Sequence, residues 1–214
     1  MRVLVVGANG QIGSQVATLL KENNNHSPLA MIRDKDQADK FKKESIETTV
    51  ADLEGSVDHL AEAAKGCEAV IFAAGSGGGT GADKTLLIDL DGAIKMVHAA
   101  EKAGVERFLI VSALQAHNRD NWNEQIKHYY VAKHYADEVL LDSKLSHTIV
   151  RPGGLTNDEA TGKIQAAKDL GMGQISRSDV AKTLVAALDE KNTINKDFDL
   201  LSGDEEIATV LSKL

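Results

Sequence analysis

Along this chain, short runs that are apolar almost throughout alternate with longer stretches in which apolar positions recur every three or four residues. The first pattern predicts buried strands and the second amphipathic helices. Strands are expected near Arg2–Val6, Leu29–Ile32, Glu47–Val50, Ala69–Ala73, Arg107–Val111 and His147–Val150, with a late one near Phe198–Leu201. Helices are expected over Gln11–Lys21, Lys35–Lys43, Val57–Ala64, Lys84–Ala103, Asn123–Ser143 and Asp179–Asp189. Gly66 and Gly104 fall where helices must end before the next strand, which suits a residue that tolerates positive φ. Ser176-Arg177-Ser178-Asp179 reads as a cap ahead of Val180, Leu184 and Leu188. Strand and helix in alternation, joined by short connections, predict an α/β fold: a doubly wound parallel sheet in three α/β/α layers.

Size turns this pattern into one domain. With 214 residues, 43% of them hydrophobic, the chain can bury one sizeable core and is short for two. Residues 1–214 are therefore read as a single unit, with the part from about residue 151 supplying the substrate side as a small lid. A formal net charge of -8 without any basic run leaves a nucleic-acid partner no electrostatic footprint. Any anionic ligand must then rely on local donors. Cys67 is the single cysteine, which excludes an internal disulfide and suits a reducing compartment. The first strand begins almost at the N-terminus and no apolar stretch approaches the length of a membrane span. The expectation is a cytoplasmic monomer or homodimer acting on a small molecule, with no membrane partner.

The chemistry begins at the first turn. In Gly7-Ala8-Asn9-Gly10-Gln11-Ile12-Gly13 a β-branched strand feeds a glycine-spaced turn that opens an amphipathic helix (Ile12, Val16, Leu19, Leu20). Gly7 permits the tight turn, Gly10 removes a side chain where a pyrophosphate must approach, and Gly13 lets the helix pack closely on the sheet. This is the pattern of a dinucleotide cradle. Twenty residues beyond Gly13, at the end of the second strand, a carboxylate would bond both ribose hydroxyls; the chain has Arg33, which favours a 2′-phosphate and hence NADP over NAD. Asp34 follows, so a solvated strand-end arginine beside a helix-capping acid is the competing reading. Asp52, in Ala51-Asp52-Leu53, either accepts from an adenine amino group or caps the next helix. Gly75-Ser76-Gly77-Gly78-Gly79-Thr80-Gly81 follows an apolar strand and is expected as a loop at the carboxyl edge of the sheet, where ligands bind.

A second constellation lies further on. Tyr129 and Lys133 are four residues apart and share a helix face, so the ammonium is expected to favour phenolate and lower the tyrosine pKa. Ser112, at the end of the fifth strand and seventeen residues before Tyr129, could bond the same substrate oxygen. Tyr130 has His134 in place of lysine four residues on and is the weaker candidate. The segment Leu114–Glu124, with His117, Arg119 and Trp122, falls beside the pocket by position. His98, His128, His134 and His147 show no acid or cysteine partners at metal-ligand spacing, so no metal is assigned.

These motifs, with Ala73-Ala74-Gly75, Val111-Ser112-Ala113, Thr148-Ile149-Val150-Arg151-Pro152-Gly153-Gly154-Leu155 and Ser176-Arg177-Ser178-Asp179-Val180-Ala181, make the chain resemble an atypical member of the short-chain dehydrogenase/reductase superfamily, of the NAD(P)H-binding, NmrA-like or epimerase-like kind. The resemblance covers nearly the whole length and implies a Rossmann fold. It further implies that Gly7, Asn9, Gly10, Gln11, Ile12, Gly13, Arg33, Asp52 and Leu53 hold the cofactor. Ala73, Ala74 and Gly75 would pass beside the ribose, Lys133 would hold the nicotinamide ribose, and Pro152, Gly153 and Leu155 would lie by the nicotinamide. From the residues alone, Pro152-Gly153 reads equally as a plain loop. Two departures matter. The serine pair of extended relatives is here Ser112-Ala113, and the roughly sixty residues after Pro152 are too few for the large lobe of sugar-nucleotide epimerases. The expected activity is NADP-dependent hydride transfer between nicotinamide and a small carbonyl, hydroxyl or conjugated acceptor, with Ser112, Tyr129 and Lys133 as the catalytic set. The rivals are an NADP(H)-binding redox sensor without turnover, a reductase of a flavin, quinone or tetrapyrrole acceptor that uses no tyrosine acid, and an NAD(P)-dependent epimerase.

Overall fold

The computed structural model describes residues 1–23 and 25–214. Its main sheet grows from β1 (Arg2–Val6), which pairs in parallel with β2 (Ser27–Ile32) on one side and β4 (Ala69–Phe72) on the other. Beyond β2 lies β3 (Glu47–Val50); beyond β4 follow β5 (Arg107–Val111), β6 (Ser146–Pro152) and β10 (Lys196–Ser202), all parallel. Two strands absent from the sequence expectation close that edge: β8 (Lys163–Ala167) runs antiparallel to β10, and the short β11 (Glu205–Glu206) antiparallel to β8. Β7 (Gly154–Thr156) and β9 (Gln174–Ser176) form a separate two-stranded parallel sheet. The strand order across the main sheet is β11-β8-β10-β6-β5-β4-β1-β2-β3. Chain direction of travel reverses between β1 and β4, which opens a crevice at their carboxyl ends.

Strand side chains alternate between faces, so one apolar run feeds two cores. Val3, Val5, Ile71 and Leu109 pack against α1 (Gln11–Glu22) and α7 (Arg177–Asp189); Leu4, Val6, Phe72 and Phe108 pack against α3 (Val57–Ala64), α5 (Ala93–Ala103) and α6 (Lys127–Asp142). The remaining helices are α2 (Ala38–Lys43), the single turn α4 (Ala82–Lys84) and α8 (Ile207–Leu211). Gly66 and Gly104 both adopt φ of 76°, and Ser176 Oγ accepts the Asp179 N–H at the start of α7, as the sequence predicts. Cys67 is buried, and its thiol is held above the usual range chiefly by that burial.

One expected helix is not uniform. Over Lys84–Ala103 the chain is α-helical only at its ends, while Thr85–Gly92 winds as a π-helix. Such widened turns are rare and concentrate at functional sites. Here the widening buries Thr85 and Asp89 beneath the Gly75–Gly81 loop.

Candidate functional site

The carboxyl ends of β1 to β4 frame a groove of about 430 Å³. It is lined by Gly7, Asn9, Gly10, Arg33, Asp52, Leu53, Ala74 and Gly75 from the expected set, and by Met31, Gln37, Glu54, Ser76, Thr80, Lys84 and Ile88 besides. The floor exists because side chains are missing. Gly7 has φ of 80°, and a Cβ there would stand 2.6 Å from the backbone of Ala74. A Cβ on Gly13 would enter the Gly7 carbonyl. The first turn of α1 carries no side-chain cap on its N–H groups and no acidic residue. Unpaired amides and the positive end of the helix dipole at such a cradle fit a pyrophosphate. Gln11, Ile12, Gly13 and Ala73 do not line the groove: Ile12 is in the core, and Gly13 supports the turn from beneath.

At the far end, the exposed Arg33 guanidinium approaches Asp34 at 3.4 Å. The Asp34 carboxylate caps the following turn in a reciprocal arrangement with Gln37, so it is a shared and weak partner for the arginine. Asp52 accepts the Glu54 N–H at 2.9 Å, closing its own turn while still facing the groove. Across from it, Lys84 pairs with Glu54.

The strand-end serine and the helix pair lie elsewhere, in a buried charged cluster. Lys133 Nζ donates to the Val111 carbonyl at 2.7 Å and stands 3.9 Å from Asp89. Asp89 accepts the Ser76 N–H at 2.9 Å, so a carboxylate in the π-helical turn ties the glycine-rich loop toward Lys133. Ser112 Oγ donates at 2.9 Å to Asp137, which also accepts from Arg151 Nε at 3.0 Å; Arg151 reaches Asp197 at 2.6 Å. Lys133, Asp137 and Arg151 are each at most 2% exposed. Burial pushes the Asp137 carboxyl up against the pull of Arg151, Ser112 and Lys133. Burial likewise pushes Lys133 down, opposed by Asp89 and Asp137.

The expected effect of Lys133 on Tyr129 is not found. Tyr129 is held well above the usual tyrosine range, first by burial of its hydroxyl end and then by the charges of Asp89, Tyr130 and Asp137. The physical reason is that the ammonium turns to the Val111 carbonyl and Asp89, leaving the phenol under carboxylate influence. Tyr130 is buried and stacks on Trp122 with ring centroids 6.0 Å apart, a packing role for both. Pro152 and Gly153 are buried at the end of β6, where Gly153 allows close approach of Gly173 and Leu201; Leu155 is partly exposed on β7. None of Ser112, Tyr129, Lys133, Pro152, Gly153 and Leu155 lines the groove. Asp89, Asp137, Arg151 and Asp197 received no role from the sequence, since only the fold brings residues 89, 137, 151 and 197 together.

A family model described as NAD(P)H-binding matches residues 7–191. The chain belongs to this NAD(P)H-binding family. It is 58% identical over 214 residues to the Bacillus subtilis protein called uncharacterized sugar epimerase YhfK, covering 100% of both chains. Among solved structures, a Bacillus halodurans protein provisionally named an NAD-dependent epimerase/dehydratase is 44% identical with TM-score 0.94, covering 100% of both chains. The oxidoreductase ylbE of Lactococcus lactis is 30% identical with TM-score 0.91, covering 100% of this chain and 96% of that one. Oxidoreductase and epimerase chemistry thus both occur among the names borne by the relatives. No helix among the described residues is long and apolar enough to cross a membrane.

Proposed function

We propose that this member of the NAD(P)H-binding family is an NADP-dependent reductase that delivers hydride to a small carbonyl or conjugated acceptor. The observation that carries the reading is the groove itself, with a glycine-floored cradle at its centre and the Arg33 guanidinium at its β2 end. An arginine in that place, with only a weak carboxylate neighbour, suits a 2′-phosphate, to which a guanidinium can fork two charge-assisted bonds. Bound NADPH would supply the hydride. The chain's own part is to hold the phosphates on the α1 amides, to wall the groove with the Gly75–Ser76 segment anchored on Asp89, and to offer a proton from Tyr129. A phenol held above its usual range by burial and by neighbouring carboxylates keeps its proton at neutral pH, and in this reading the positive nicotinamide or the bound acceptor must bring it down for transfer. Ser112 and Lys133 act in this reading from within the buried cluster, tying the end of β5 to the middle of α6 beside the reacting oxygen.

The test is an NADPH-oxidation screen over aldehydes, quinones and flavins, run beside titrations with NADPH and NADH. Tighter binding of NADPH and net oxidation with at least one acceptor are expected. Because the acid form of Tyr129 is the working one, the rate should stay level through neutral pH and fall only above the ordinary tyrosine range. Equal affinity for the two nucleotides would remove the Arg33 argument. Interconversion of a hydroxyl epimer without net NADPH consumption would establish the epimerase reading that the names of two relatives favour.

A further inference from the structure

Outside the groove, the fold gathers three residues that lie 52 and 30 positions apart in the chain: His117 after β5, Asp169 after β8 and Asp199 in the middle of β10. One ligand atom from each lies within 4.8 Å of the others. His117 and Asp169 border an open cavity of about 640 Å³ that also takes in Arg119 and Lys168, with Asp199 buried behind them. We propose that this triad is a binding site for a divalent transition-metal cation of the zinc or manganese type.

The first argument is an unmet nitrogen. His117 Nδ1 is sealed from solvent and has no hydrogen-bond partner among the described residues, although the ring edge is partly exposed. It stands 4.0 Å from Asp199 Oδ1, too far for a hydrogen bond. Two ligand atoms each about 2.1 Å from one ion are separated by roughly 3 to 4.2 Å, according to the angle between them. The His117–Asp199 gap falls within that range, and a small side-chain adjustment would bring Asp169 into it.

The second argument is that the buried carboxylate beside His117 has neutral donors but no cation. Gln115 Nε2 faces Asp169 Oδ1 at 2.5 Å, Asp199 Oδ2 at 2.7 Å and the Leu170 carbonyl at 2.9 Å. An amide has two N–H bonds for these three acceptors. Asp199 is 0% exposed and, among the described residues, has no Lys or Arg within ion-pair distance, so its buried charge lacks a cation. Asp199 also takes the backbone N–H groups of Gln115 and Leu170, which fixes its carboxylate while leaving a lone pair of Oδ1 free toward His117. Gln115 itself is held with φ of 63°, a left-handed conformation rare for its type. It thus serves as the outer partner that orients both carboxylates, as hydrogen-bonded neighbours do around metal ligands. One imidazole and two carboxylates, with the remaining positions open to a polar cavity, suit zinc or manganese better than calcium, which takes an all-oxygen shell.

The proposal is independent of the reductase reading, because its test needs no turnover. The full chain, stripped with a chelator, is titrated with Zn²⁺, Mn²⁺ and Ca²⁺ in competition with a chromophoric chelator, while ¹⁵N spectra follow the histidine rings. About one equivalent of Zn²⁺ or Mn²⁺ should bind, with Ca²⁺ weaker, and Zn²⁺ should shift the His117 Nδ1 resonance. His117→Ala and Asp169→Asn should each weaken binding by at least about tenfold. His59→Ala, on the exposed face of α3, should leave it unchanged. Retention of full affinity in His117→Ala, an unmoved His117 resonance, or the absence of a stoichiometric site would each overturn the proposal. Asp169→Asn removes a charge from an exposed residue and leaves the buried Asp199 in place, so the test does not depend on a variant that fails to fold.

Discussion

The groove at the ends of β1 to β4 and the charged cluster sit on one sheet edge, yet they are made in opposite ways. The groove is defined by atoms that are not there: Gly7, Gly10 and Gly13 bring backbone against backbone, and charged side chains on its walls, Arg33, Glu54 and Lys84 among them, stand toward solvent. The cluster is defined by atoms that must be there, with Lys133, Asp137 and Arg151 removed from water and meeting Ser112, Asp89, Asp197, the Val111 carbonyl and one another. A cradle of this kind accepts a ligand's charge, whereas a cluster of this kind has no charge to spare. One region should therefore break when atoms are added and the other when they are removed.

The largest effect is expected on the groove side from addition. Gly13→Val forces side-chain carbon into the Gly7 carbonyl, and should cost more than about 4 kcal/mol or prevent folding, as read by urea denaturation. On the cluster side, Asp137→Ala leaves the Arg151 guanidinium buried beside a void and should cost about 3–5 kcal/mol. Adding Arg151→Met to it should cost less than the sum of the two single changes, and simple additivity would show that the pair is not coupled. Tyr129→Phe keeps the ring and removes the proton: turnover on an acceptor found in the screen should fall by roughly two to four orders of magnitude with NADPH affinity intact. Full activity in that variant would favour direct hydride transfer to a flavin- or quinone-like acceptor. The smallest effect belongs to the most exposed group. Arg33→Ala should weaken NADPH by about 1–3 kcal/mol and leave NADH nearly unchanged, while equal losses would assign Arg33 to the pyrophosphate or the fold.

The same contrast explains what was legible in the sequence. A close backbone approach demands glycine at fixed local spacing, so Gly7, Gly10 and Gly13 announce the cradle within seven residues, and an unbroken apolar strand before them gives its orientation. The parallel order of β1 to β6 follows from alternation of the same local kind. The cluster writes no such signature. Asp89 meets Lys133, and Asp137 meets Arg151, through pairings set by the tertiary fold, and each residue alone reads as an ordinary polar position on a helix or strand. Tyr129 and Lys133 were visible as an i,i+4 pair, but helical spacing does not tell which way an ammonium turns, and the Val111 carbonyl takes it. Strands β8 and β11 escaped because both are short, Lys163–Ala167 carries a single large apolar residue and Glu205–Glu206 none.

The widened turn at Thr85–Gly92 gives the chain an unusual tolerance to a change of length. In an ordinary helix the loss of one residue rotates everything beyond it by about 100° and scrambles which face is buried. A π-helical turn already holds a surplus residue, so a one-residue deletion at Leu86 or Leu87, both exposed, would let the segment relax to α-geometry while α5 keeps its place on the sheet. The fold would survive, but Asp89 would lose its bearing on Ser76 and Lys133. Here a lineage could shed a function by dropping a single codon and still make a stable protein.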